Sequence, residues 1–258
     1  MALSLDGWDE PSHDGFRRVD GSFARTMAAA AWARELGLPL QIDTVFGAWN
    51  AGRFPELAAL VESLGVVFWE VFFLVPTGRG AELDGCTAEQ CERLFADLYE
   101  MSRRAPFIIK ITEAPHYRRF VQQQAGHSDA RPPAMRDVHR HAAATTDAGL
   151  RVTRQGVNSG KGFCFVDHVG DIYPSGFLPM LAGNVRRDAI ADTYRTAPIF
   201  VALRDPDRLK GRCGACEYRE ICGGSRSRAF ALTGDPFAED GSCGYVPDTD
   251  VTASTVSH

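Results

Sequence analysis

Apolar positions along the first half of the chain repeat in two periods, one of strands and one of helices. Ala2-Leu-Ser-Leu5 is a short apolar run that stops at Asp6-Gly7. Phe23, Met27, Ala30, Ala31 and Leu36 then follow helical spacing, with Ser22 placed to cap the helix and Gly37 suited to end it. Leu38 to Phe46 reads as a strand, Phe54 to Leu64 as a helix closed by Gly65, and Val66 to Val75 as a nearly continuous apolar strand. Thr87-Ala-Glu-Gln90 fits a capping box for a helix running to about Arg104, Pro106 stops it, and Phe107 to Thr112 is a further strand. Strands this apolar predict a parallel sheet covered on both faces by helices, built from three βα units. The chain opens inside a strand, so one sheet edge calls for cover by another chain or by further strands.

The second half is patterned differently. Arg131-Pro-Pro133 and Asn158-Ser-Gly-Lys-Gly162 are loop signals, with a helix predicted over 138–148 between them. On that helix His139 and His141, two residues apart, do not share a face and do not chelate together. Gly156 to Gly162 lacks the order of a phosphate-binding loop. Phe163 to Pro174 reads as a hairpin turning near Val169-Gly-Asp171. Beyond Pro247 an Asp/Thr/Ser-rich tail, 248–258, predicts disorder.

The candidate chemistry lies in Cys213-Gly-Ala-Cys216-Glu-Tyr-Arg-Glu-Ile-Cys222-Gly-Gly, with a further cysteine at Cys243. A CxxC turn points two thiolates at one centre, and Gly214, Gly223 and Gly224 let the backbone curl round it and aim N–H groups at sulfur. Four thiolates hold zinc or an iron–sulfur cluster equally well by ligand type, and structural thiols or a disulfide are the bland alternative. Arg212, Arg219, Arg226 and Arg228 surround the loop. They are either a solvated helix face or a set of cations that offsets the charge of a cluster and raises its potential. Cys86 and Cys91, five apart, read as ordinary helix thiols. No acid–base or nucleophile–base pair stands out, so no catalytic residue is named.

The run from Leu209 to Asp235 resembles the C-terminal SPASM domain of radical SAM enzymes, in the branch of the heme-biosynthesis decarboxylases. The resemblance extends over the chain to about Pro247. Leu3-Ser-Leu-Asp-Gly7, Leu40-Gln-Ile-Asp-Thr-Val45 and Val71 to Arg79 look like the fourth, fifth and sixth strands of the radical SAM barrel. The fold it implies is α/β. It comprises the later half of a partial (βα)6 barrel over 1–125, an iron–sulfur SPASM domain over 126–247 and the tail.

The resemblance also implies ligands. Cys213, Cys216, Cys222 and Cys243 hold one auxiliary [4Fe–4S] cluster, and Ser4 and Asp6 lie near the ribose or carboxylate of S-adenosylmethionine. Cys164 matches the opening position of a second cluster, but Ser175 and the Ser225-Arg226 region stand where its other thiolates are expected, so that site is vacant and Cys164 reads as a buried strand thiol. The CxxxCxxC loop of the catalytic cluster is absent from these residues. The implied function is a radical SAM/SPASM fragment that does not cleave AdoMet alone. Its missing barrel strands are either lost by truncation or supplied by a separate chain, and its relatives act on small-molecule or peptide substrates. The alternative is a non-enzymatic zinc module that is structural or binds a partner.

Composition agrees with a globular chain and narrows its partners. The 258 residues are 45% hydrophobic, enough for a sizeable core, and the net charge of −5 argues against nucleic-acid or anionic-membrane surfaces. No apolar run reaches membrane-spanning length and no signal peptide is evident, so a cytoplasmic setting with reduced thiols is expected.

Overall fold

The computed structural model describes residues 1–126 and 157–247. The predicted helix over 138–148, with His139 and His141, and the tail 248–258 lie outside the described residues. The chain forms two compact units. The first comprises Met1–Leu74, Leu83–Thr112 and 121–126; the second comprises Val75–Glu82, Glu113–Phe120 and 157–247.

The first unit is a four-stranded parallel sheet in the order β1 (Ala2–Ser4), β2 (Gln41–Phe46), β3 (Phe68–Phe73), β4 (Ile108–Thr112). Between successive strands run helices α1 (Glu10–Arg17) and α2 (Ser22–Glu35), then α3 (Phe54–Ser63), then α4 (Ala88–Arg104). The order of strands and helices matches the hydrophobic pattern, and each predicted glycine stop, Gly37 and Gly65, has a positive φ.

Burial along β2 and β3 alternates strictly, which corrects the expectation of a sheet fully covered on both faces. Ile42, Thr44, Phe46, Trp69, Val71 and Phe73 form the buried face, with Trp69 stacked on Phe54 of α3 and Phe73 against Phe95 of α4. A buried hydroxyl ties three strands together. Thr44 Oγ1 donates to the Leu5 carbonyl at 2.8 Å and accepts the Trp69 indole N–H at 2.9 Å. The opposite face is half-exposed and polar, with Glu70 accepting from Lys110 Nζ at 2.7 Å and Thr112 Oγ1 at 2.8 Å. The apolar run of β3 misled because Phe68 and Phe72 sit on this second face.

Helix capping splits the same way. Thr87 and Gln90 form the predicted capping box of α4. Ser22 does not cap α2; its N-cap is Gly21, and the orphan amides are met from α1 by Asp14, which accepts the N–H groups of Gly21 and Phe23 at 2.5 and 2.7 Å and the Ser22 hydroxyl at 2.8 Å.

The second unit carries a small antiparallel sheet, β5 (Phe165–Val166), β6 (Asp171–Tyr173) and β7 (Gly183–Asn184). The predicted hairpin is its first pair, turning at Gly170 (φ 93°) with Asp167 Oδ1 accepting from the backbone of Val169 and Asp171. Short helices over Ile190–Thr196, Pro198–Leu203, Gly211–Ala215 and Arg226–Thr233 follow. Helix α5 (His116–Gly126) contributes its residues up to Phe120 to this unit. Among the described residues no helix is long and apolar enough to cross a membrane.

Replacing Asp14 by Ala strips two amides and a hydroxyl of their acceptor and is expected to lower stability, with Ser22→Ala lowering it less. Urea midpoints at unchanged slope check this; equal losses in the two variants would contradict Asp14 as the cap.

Candidate metal centre

Cys213 lies in the short helix Gly211–Ala215, Cys216 follows it, Cys222 closes the next turn, and Cys243 comes from the segment after the helix Arg226–Thr233. The fold brings all four to one partly open cavity, lined also by His116, Arg119, Tyr218 and Tyr245. None of the four is in a disulfide, and all are half-buried.

Backbone geometry makes this convergence possible. Gly224 has φ 67°, and a Cβ there would stand 2.9 Å from Cys213 Sγ and 2.8 Å from Asp240 Cβ. Only glycine fits. Its N–H donates to Cys222 Sγ at 3.3 Å, and the Asp240 N–H donates to Cys213 Sγ at 3.4 Å. Gly214 is equally constrained, since a Cβ would meet the Leu209 carbonyl at 2.3 Å.

Asp240 joins the three cysteine-bearing segments. Its carboxylate accepts the Ser225 N–H at 2.8 Å, the Ser242 hydroxyl at 2.8 Å and Arg228 Nη1 at 3.0 Å, while its carbonyl accepts the Cys243 N–H at 3.1 Å. His116 Nδ1 lies 3.9 Å from the same carboxylate. Burial alone would raise the Asp240 pKa, but Arg228, His116 and these donors outweigh it and hold the carboxyl well below its usual range. Arg228 also donates to the Glu113 carbonyl at 2.6 Å, and the Glu113 carboxylate accepts the Ser225 hydroxyl at 2.7 Å. Glu113 takes φ 60°, and burial pushes its pKa up.

Asn158, from the loop read only as a breaker, bridges the Cys222 and Gly224 carbonyls at 3.2 and 2.7 Å. Arg118 reaches the Ile221 carbonyl at 3.2 Å and Lys161 the Glu220 carbonyl at 2.9 Å. Sequence reasoning missed Asp240, Asn158, Glu113 and His116. Asp240-Gly-Ser242 was open to reading as an Asx turn, whereas the others act through distant segments.

The four predicted arginines separate. Arg212 is paired with Glu239, Arg219 with Asp207 and Arg228 with Asp240. Arg226 donates toward Cys213 Sγ at 3.7 Å.

The remaining candidates lie elsewhere. Ser4 is exposed on β1, beside Asp43 in register. Asp6 is buried, its carboxylate 2.5 Å from Arg17 and accepting the Val45 N–H at 2.8 Å. Cys164 is half-buried and precedes β5, rather than being buried within a strand. Ser175 is buried, its hydroxyl accepting the Phe177 N–H at 3.1 Å. Cys91 is buried on α4 and Cys86 half-buried before it.

Four thiols lining one cavity can hold either a single tetrahedral zinc or an iron–sulfur cluster. Burial pushes the Cys216 thiol up to about 11 and the Cys222 thiol up to about 12. A bound metal would take the proton off a coordinating thiol.

No family model matches the chain. The AdoMet-dependent heme synthase of Methanosarcina barkeri is 39% identical over 247 residues, covering 96% of this chain and 68% of that protein. The AdoMet-dependent heme synthase of Nitratidesulfovibrio vulgaris is 34% identical over 95% of this chain and 65% of its own length. Among solved structures, Streptococcus suis SuiB bound to S-adenosylmethionine superimposes with a TM-score of 0.60 at 16% identity, over 95% of this chain and 53% of SuiB. The chain belongs to the radical SAM family, with AdoMet-dependent heme synthases among its relatives, and spans about two thirds of their length.

Asp240→Asn leaves Arg228 buried beside a neutral group and is expected to destabilise the second unit by about 3–5 kcal/mol. Because the folded-state pKa of Asp240 is depressed, its stabilisation is complete above the unfolded carboxylate value of about 3.9 and is lost as pH falls below it. Glu113 has the opposite sign, since its raised pKa gives stability that is present in acid and lost as pH rises through the folded value. Urea unfolding from about pH 2 to 7 should therefore show a weaker acid limb in Asp240→Asn and a weaker loss on the rising side in Glu113→Gln. Parallel curves for wild type and variants would contradict these assignments.

Proposed function

We propose that the chain is the later part of a radical SAM barrel joined to a SPASM domain, and that Cys213, Cys216, Cys222 and Cys243 hold one auxiliary [4Fe–4S] cluster. The observation that supports this reading is the convergence of the four sulfurs on one cavity, cradled by Gly224 and the Asp240 amide. The cluster would supply one-electron chemistry when bound. The protein's own residues present four thiolates, donate N–H groups to two of them and exclude side chains from the sulfur face at position 224.

Of the two residues assigned to AdoMet, Ser4 is exposed at the end of β1, and Asp6 acts from within by fixing the strand end through Arg17 and the Val45 amide. The 258 residues contain no CxxxCxxC triplet, and reductive cleavage of AdoMet needs three thiolates that leave one iron site open. By themselves these residues do not generate the 5′-deoxyadenosyl radical; a segment carrying that triplet, on this or another polypeptide, is the partner the reading requires. The names of the M. barkeri and N. vulgaris relatives favour a tetrapyrrole as substrate class.

Anaerobic purification of the chain and of Cys216→Ser, with iron, sulfide and zinc analysis and a visible spectrum, tests this. The expected result is about four irons per chain and a brown charge-transfer band, both lost in the variant. About one zinc and no colour would replace the proposal with a structural zinc module.

A further inference from the structure

Arg226 is among the largest fully buried side chains of the protein, at 2% exposure, yet among the described residues it makes no ion pair. Its Nε donates to the Gly224 carbonyl at 3.2 Å, and its Nη1 to the Pro236 and Ala238 carbonyls at 2.7 Å each. Nη2 points at Cys213 Sγ from 3.7 Å. Guanidinium stays charged in proteins, and a buried cation satisfied only by neutral carbonyls is costly. The three other arginines of the loop each face a carboxylate, Glu239, Asp207 or Asp240, which cancels their charge locally.

Asp235 feels the Arg226 charge without forming an ion pair with it, and the anionic group Arg226 contacts directly is the Cys213 sulfur, which bears negative charge only as a metal-bound thiolate. From this geometry we infer that Arg226 is a positioning and potential-setting residue for the centre held by the four cysteines. Its charge stabilises the more negative, reduced form, and the three carbonyls fix its guanidinium against Cys213. The inference rests on the iron–sulfur reading above. The electron comes from an external one-electron reductant, dithionite or a flavodoxin-type donor, and Arg226 neither gains nor loses one. Gly224 belongs to the same device, because a Cβ there would lie 2.5 Å from Arg226 Nη2.

The test is an EPR-monitored redox titration of the anaerobically reconstituted full chain as wild type, Arg226→Gln, Arg226→Lys and Arg219→Gln, each with its iron and sulfide content measured. With iron retained, Arg226→Gln should make reduction at least tenfold less favourable, a downward shift of about 59 mV or more for one electron. Arg226→Lys, which keeps the charge, and Arg219→Gln, which removes a paired one, should change it by less than threefold. An iron-loaded Arg226→Gln at the wild-type potential, or an equal shift in Arg219→Gln, overturns the proposal. If Arg226→Gln fails to fold, wild type labelled with 15N only in its arginine guanidinium groups decides the matter. Pulsed EPR of the reduced centre should show a nitrogen coupling that Arg226→Lys, labelled the same way, loses; its absence in wild type or its persistence in that variant refutes the contact. Wild type that binds no iron overturns the reading of the site itself, and is seen in the metal analysis before any potential is measured.

Discussion

The buried carboxylate of Asp240 is the constraint on which the candidate centre depends. It takes a hydrogen bond from Ser225, two residues past the Cys222-Gly pair, and another from Ser242, next to Cys243, while its own amide reaches Cys213. Three cysteine-bearing segments within residues 213–243 are thus referred to one charged group. A buried carboxylate is tolerable only when its charge is answered, and Arg228 answers it. Arg228 then extends the network to the Glu113 carbonyl, and Asn158 braces the Cys222 turn from another loop. Geometry at the sulfurs follows from polar contacts behind them, which is how ligand shells are commonly fixed in metal proteins.

The arginine-rich surroundings show why charge counts from sequence are a weak guide. Four arginines within sixteen residues of each other read as one positive patch, yet three are neutralised by carboxylates from other segments and one is buried against sulfur. Whether a cation acts on a neighbouring centre depends on what else it touches and how far it is from water.

Much of the first unit was legible because its signals are local. The capping box at Thr87, the stops at Gly37 and Gly65 and the order of strands are each written within a few residues. What was not legible required contacts between segments. Asp14 caps α2 across a loop and displaces Ser22 from that role, and Phe68 and Phe72 look like core residues in a continuous apolar run but lie on the half-exposed face of β3. In the second unit the cysteine spacing and the glycines identified the loop, because a CxxC turn and a positive-φ glycine beside sulfur are local requirements. Asp240, Glu113, His116 and Asn158 were invisible to the same reasoning, since nothing in their neighbourhoods announces that they meet. The relatives place the chain in the radical SAM family, and the fold of its parallel sheet agrees with SuiB at a sequence identity too low to carry more than the fold.

The central claim is that the four cysteines hold several metal atoms rather than one. Iron-edge X-ray absorption on the anaerobically reconstituted chain measures this directly, because neighbouring irons scatter as a second shell behind the sulfurs. The account predicts iron–iron scattering alongside the iron–sulfur shell. A lone sulfur shell with no metal neighbour, or an absorption edge carried by zinc, would contradict it.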